Sequence, residues 1–179
     1  QDDLRTLFHE FGHALHGLLS NVTYALLAGT SVLQDFVELP SQINEHWALA
    51  PEVLKKHAVH AQTGKAISDE LIALIKKSEH FNQGFLTVAY TSCALVDMAL
   101  HQHPDPAKLN LAAFEKAEME RLGVPEAVGM RHRLPQFRHL FSDNGYAAGY
   151  YVYMWAEVLD ADGFEAFEES GDVFNAELA

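Results

Sequence analysis

The chain has 179 residues, 49% of them hydrophobic and 21% charged, which is enough length and apolar content to bury a globular core. Acidic residues outnumber basic ones 25 to 12, and the net charge of −13 repels a polyanion, so nucleic acid is excluded as the favoured partner. A single cysteine, Cys93, excludes an internal disulfide framework and reads as a small core residue.

The first predicted helix is capped by Asp2 or Asp3 and runs to about 19, with Leu4, Leu7, Phe8, Phe11, Leu15 and Leu18 at helical spacing. "SNVTYALLAGTSV" follows as a loop with room for a short strand. Its "NVT" fits a glycosylation acceptor, which we set aside because nothing indicates secretion. A second helix is expected over 33–49, starting or kinking near Pro40, because proline removes a donor and crowds the preceding turn. Pro51 fits the first turn of a short third helix. Further helices are predicted over about 66–78, 81–103 and 108–121. "GVPEAVGMRHRLPQF" carries Gly and Pro breaks and reads as a long loop, and "FSDNG" as a turn. "YAAGYYVYMWAEVLDADGFEAFEES" is helical, with a break expected near Asp162-Gly163.

Long alternating strands are missing, so the expected class is all-α, or α-dominant. There is no repeat or low-complexity segment, and we read 1–179 as one region. No secretory signal opens the chain and no run of 18 apolar residues suggests a membrane span. The expectation is no membrane partner and a cytoplasmic location. The opening "QDDLRTLF", already helical and without Met, reads as a piece of a longer protein.

His9-Glu10-Phe11-Gly12-His13 matches the H-E-x-x-H pattern. Residues four apart lie one turn apart on the same helix face, where two imidazoles can reach one zinc ion. Glu10 lies about 100° around the helix from His9, badly placed to ligate beside it and well placed to hold a metal-activated water as general base. Zinc brings the pKa of such a water toward ~7. Gly12 costs about 1 kcal/mol of helix propensity relative to Ala, a sign that space is wanted there. His16 reads as a surface residue, or one supporting a ligand from behind, rather than a third imidazole ligand.

A catalytic zinc takes three protein ligands and one water. "LQDFVELPSQINEHW" offers Asp35, Glu38, Glu45 and His46 for the third position. Glu38 ranks first on the residues alone, with capping or salt bridging as the bland alternative. Asp35, three residues before it, could serve instead or orient a histidine from behind. Manganese or cobalt could replace zinc in such a donor set.

"TLFHEFGHALH" followed by "DFVELPSQ" resembles the M3 family of zinc oligopeptidases. The resemblance implies His9, His13 and Glu38 as the metal ligands and Glu10 as the base. It extends to "YAAGYYVYMW", similar to the family's tyrosine-rich segment. There it implies that Tyr146, Tyr150 and Tyr153 bind substrate or the developing oxyanion, and that His139 in "FRHLF" assists. Tyr151, out of step with these, is expected to pack. Read without the family, Tyr150, Tyr151 and Tyr153 form a core aromatic stripe. "FNQGFLTVAYTSCALVDMALH" and "MRHRLPQFRHLF" are also similar to the family, in mainly structural roles. Arg131, His132 and Arg133 could touch a peptide carboxylate or simply cover the loop. His101 and His103 in "HQHPDP" read as solvated histidines at a helix end.

The tyrosine-rich segment looks closer to the peptidyl-dipeptidase branch than to the oligopeptidases. The resemblance therefore implies removal of C-terminal dipeptides from short peptides. It also implies a longer, helical, two-halved protein around a deep channel. Apolar surface would then be exposed on this chain where the remaining parts pack. The competing expectation is a metal-binding fragment without catalysis.

Overall fold

The computed structural model describes residues 2–179. All its regular elements are helical, and among the described residues the one antiparallel bridge is Val59 to Ala66. The expected all-α class holds. The chain divides into two compact units, one of residues 1–79 with 153–179 and the other of residues 80–152.

The first unit begins with α1 (Asp2–Leu18), whose acidic first turn suits a helix N-terminus. A loop with a single 3₁₀ turn (Ala25–Leu27) follows, with no strand in it. The expected second helix is two helices, α2 (Gln34–Val37) and α3 (Leu39–Ala48). Pro40 sits in the first turn of α3, where a missing N–H costs nothing, and the break falls at Glu38. α4 (Pro51–His57) starts at its proline as expected. α5 (Asp69–Ser78) begins three residues later than the apolar pattern suggested. Ser68 Oγ accepts the Leu71 N–H and caps the helix there, while Ala66 is held in the bridge.

α1 and α3 pack backbone to backbone. A Cβ on Gly12 would lie 2.5 Å from the Pro40 carbonyl oxygen and 2.6 Å from Ser41 Cα. Gly12 is also the one buried residue of α1. Asn44 Nδ2 donates to the Phe8 carbonyl at 2.6 Å across the same contact. The opposite face of α1 is bare: Leu7, Phe11 and Leu18 fall on one stripe and are exposed, along with Leu19, Val22 and Leu26 in the loop beyond.

The final helix of the chain, Val152–Ser170, runs unbroken through Asp162-Gly163, contrary to the expected break. A Cβ on Gly163 would meet Ile43 Cδ1 at 3.0 Å, so this glycine allows close packing rather than ending the helix. Phe164 and Phe167 close around Trp47, edge to face at 5.0 Å each, and Trp47 Nε1 donates to the Val173 carbonyl at 2.6 Å.

The second unit is built on α6 (Gln83–His101). By length and composition alone this helix is apolar enough to cross a membrane, a test that a buried core helix passes as well. Ala89, Ser92, Cys93, Val96, Asp97 and Leu100 are buried within the unit. α7 (Leu111–Arg121) is capped by Asn110, whose Oδ1 accepts the Ala113 N–H, so it starts at 111 instead of at 108. The long loop contains a 3₁₀ turn (Leu134–Gln136) and leads to the short α8 (Arg138–Phe141). The last helix is α9 in this numbering. Residues 146–151, expected to be helical, are a bend at Tyr146 and turn over 147–151, with Ala148 in the left-handed region at φ 55°.

Candidate metal centre

The metal motif lies on α1 where that helix crosses α3. His9 and His13, one turn apart, bring their rings edge to face with centroids 4.9 Å apart. The Nε2 atoms of both converge on one oxygen: His9 Nε2 and His13 Nε2 each lie 3.3 Å from Glu38 Oε2. Among the described residues, His9, His13 and Glu38 form the one group of three or more His, Cys, Asp or Glu that could hold a metal ion.

The spacing decides between two readings. A charge-assisted N–H···O bond is about 2.7–2.9 Å long. The edge of a tetrahedron with bonds of 2.0–2.1 Å is about 3.3–3.4 Å. The two contacts to Glu38 have the second length. His9 Nδ1, in contrast, lies 2.7 Å from Glu45 Oε1, a true hydrogen-bond distance. His9 therefore presents one nitrogen to a carboxylate behind it and the other to the open corner of the donor set, the arrangement that fixes a ligating imidazole.

Glu38 is 1% exposed, and a buried carboxylate needs compensation. Ser41 Oγ contacts its Oε2 at 3.1 Å and donates to its backbone carbonyl at 2.8 Å. The break between α2 and α3 is what turns this side chain toward α1. The donor set thus fits a small divalent cation: two imidazoles, one buried carboxylate and tetrahedral edge lengths. With no cation bound, Glu38 first and Glu45 second raise the His9 pKa to about 9, so a metal must displace a proton from that ring. Buried His13 Nδ1 has no hydrogen-bond partner among the described residues.

The other sequence candidates are placed elsewhere. Glu45 stands behind His9 rather than in the donor set. His46 Nε2 lies 2.7 Å from Asp160 Oδ1 and its ring stacks on Phe164 at 4.3 Å, a packing role. Asp35 is not in the group, and neither is His16, whose ring packs 6.3 Å from Phe36. Glu10 is exposed on α1 beside the histidines.

The tyrosine-rich segment divides between the units. Tyr153 is on α9 in the first unit, and Gln42 Nε2 donates to its carbonyl at 3.0 Å. Tyr146, Tyr150 and His139 are in the second unit. The His139 ring lies 5.9 Å from that of Tyr146 and 5.6 Å from that of Tyr150. Tyr150 is 4% exposed and stacks on Tyr90 at 5.0 Å, while Tyr151 is 42% exposed, so the residue expected to pack is open and its neighbour is in the core. Burial pushes the Tyr150 hydroxyl above its ordinary pKa and keeps it neutral. Arg133 pairs with Glu115, His132 packs 5.0 Å from Phe137, and His101, exposed at the end of α6 as expected, also places Nδ1 2.8 Å from Asp97 Oδ1.

The sequence reading missed three supporting residues. Ser41 sits three after Glu38, and Glu45 reads from the sequence only as a ligand candidate. Asp97 is a lone acid in the apolar run "TSCALVDMALH", and its isolation was the available signal.

The family model of Peptidase family M3 matches residues 1–178. The chain belongs to this family. It is 44% identical to the dipeptidyl carboxypeptidase of Escherichia coli (strain K12) over 173 residues, which cover 95% of this chain and 25% of that protein. Oligopeptidase A of the same strain is 38% identical over 178 residues, covering 98% of this chain and 26% of that one. The thimet-like oligopeptidase of Dictyostelium discoideum is 33% identical over 181 residues, covering 99% and 26%. The chain therefore spans about a quarter of the length of the curated relatives it matches. A metal-dependent peptidase family and a three-residue donor group that could bind a metal agree with the sequence reading.

Proposed function

We propose that this M3 chain is the catalytic region of a zinc peptidase that hydrolyses short peptides and releases C-terminal dipeptides. The observation that carries the proposal is the convergence of His9, His13 and the buried Glu38 at tetrahedral spacing. The name of one of the relatives, dipeptidyl carboxypeptidase, supports the dipeptide part.

His9, His13 and Glu38 would hold the ion, which supplies Lewis acidity to polarise a peptide carbonyl and acidify water. The remaining chemistry belongs to the chain. Glu10, beside the ligands and open to solvent, accepts a proton from water as its oxygen bonds to the carbonyl carbon. The same carboxyl then gives that proton to the amide nitrogen as the C–N bond breaks. Glu45 holds the His9 ring in orientation, and Ser41 holds Glu38. The resemblance assigns Tyr146, Tyr150, Tyr153 and His139 to the substrate, and we keep that assignment within the proposal. A neutral tyrosine hydroxyl donates to an oxyanion without bringing a charge. The burial of Tyr150 favours Tyr146 and Tyr153 as the residues in direct contact with peptide, with Tyr150 anchoring the loop. Short peptides are the proposed partners, and a cytoplasmic location stays part of the same reading.

The test is cleavage of an internally quenched peptide by the full-length protein, with products weighed by mass spectrometry. Chelator-sensitive release of C-terminal dipeptides is expected. Cleavage that survives complete metal removal contradicts the proposal. The bare stripe of Leu7, Phe11 and Leu18 favours a second reading for the isolated 179 residues: they bind one metal per chain and cleave nothing. Metal analysis beside the same assay separates the two.

A further inference from the structure

The second unit contains a buried anion that the reaction above does not use. Asp97, on α6, is 0% exposed and is the one charged residue on the buried face of that helix. A buried carboxylate is costly unless several donors meet it. Here the donors are the backbone of the tyrosine loop. Ala148 N–H donates to Asp97 Oδ1 at 3.0 Å, and Tyr150 N–H donates to Oδ2 at 3.0 Å. His101, one turn along α6, places Nδ1 2.8 Å from Oδ1.

The same helix holds the loop at a second point. The Tyr90 hydroxyl donates to the Tyr150 carbonyl, and the Tyr90 ring stacks on the Tyr150 ring. Both main-chain polar groups of Tyr150 are thus fixed from α6. Phe137 closes on the Tyr150 ring edge to face at 4.7 Å. Between the fixed points, Gly149 N–H donates to the Tyr146 carbonyl at 2.9 Å and closes a four-residue turn. Its third residue, Ala148, takes φ 55°, which an alanine adopts only when the surroundings demand it. The carboxylate supplies that demand.

We infer that Asp97, supported by Tyr90, is a positioning residue for the reaction: it clamps the turn that carries Tyr146. The catalytic half of this inference rests on the proposed peptidase function. The clamp itself does not. The carboxylate is specific to the task, because each oxygen accepts from a different backbone N–H. An asparagine of the same shape can accept at only one of them and turns an NH₂ toward the other.

The test uses the full-length, metal-loaded protein with Asp97→Asn and Tyr90→Phe, read by hydrogen exchange over 146–151 and by steady-state kinetics. For Asp97→Asn the loop amides should exchange at least about tenfold faster, as expected from losing a hydrogen bond to a charged group. kcat should fall by about 10²-fold with little change in KM, the signature of a displaced group. Tyr90→Phe should move both in the same direction by less. Metal content should be unchanged in both. Unaltered exchange overturns the clamp. Faster exchange with normal kcat overturns its part in the reaction. If Asp97→Asn fails to fold, Tyr90→Phe decides on the same two readouts. A wild-type protein that cleaves no peptide overturns the peptidase reading and the catalytic half with it, while the exchange measurement still decides the clamp.

Discussion

The candidate metal centre and the tyrosine loop solve the same problem, holding a few side chains in place, by different means. The metal centre relies on backbone contact. α1 and α3 approach until nothing larger than a hydrogen fits on Gly12, and that approach brings Glu38 to His9 and His13. The tyrosine loop relies on one buried carboxylate that gathers two main-chain N–H groups. The first device is steric and fails when volume is added. The second is electrostatic and fails when charge is removed while volume is kept.

Substitutions can break or sharpen this contrast. The largest effect belongs to the proposed chemistry. Glu10→Gln should retain the metal and lose about 10²–10⁴-fold in kcat, checked by metal analysis beside the peptide assay. Full turnover in that variant means another group takes the proton. Next, Glu45→Gln weakens the support behind His9 and should lower metal affinity about 10–100-fold in a competition titration with a chelating dye. Unchanged affinity would make that 2.7 Å contact incidental.

The steric arm follows. Gly12→Ala places a methyl group against the Pro40 carbonyl and Ser41 Cα, backbone atoms that cannot swing aside. It should destabilise the fold by about 1–3 kcal/mol in chemical denaturation and weaken metal binding at the same time. Gly163→Ala is the matched control and the smallest effect. Its methyl would meet only the tip of Ile43, and alanine recovers about 1 kcal/mol of helix propensity, so the change should stay under about 1 kcal/mol in either direction. Equal losses at the two glycines would show that the α1–α3 approach is nothing special.

The contrast also explains what was legible in the sequence. The histidine pair is a local pattern, four apart on one helix, and its face follows from helical geometry alone. Gly12 signalled close approach because it sits in a helix interior at a cost. Pro40 pointed to a break, although only the fold shows that the break aims Glu38. Glu45 reaches His9 across 36 residues and Asp97 reaches Tyr150 across 53, and no local period records such pairings. The Asp162-Gly163 break failed for a related reason: Gly163 serves a tertiary contact with Ile43, which outweighs its local tendency to end a helix. Tyr150 and Tyr151 were reversed in burial because the segment before Val152 is turn, not helix, and helical spacing does not apply there.

Anomalous diffraction at the zinc edge, on crystals of the full-length protein, tests the central claim most directly. The expected result is one strong peak within bonding distance, about 2.0–2.2 Å, of His9 Nε2, His13 Nε2 and a Glu38 carboxylate oxygen. A peak bonded to the two histidines with Glu38 out of reach, or zinc bound only elsewhere, would contradict it.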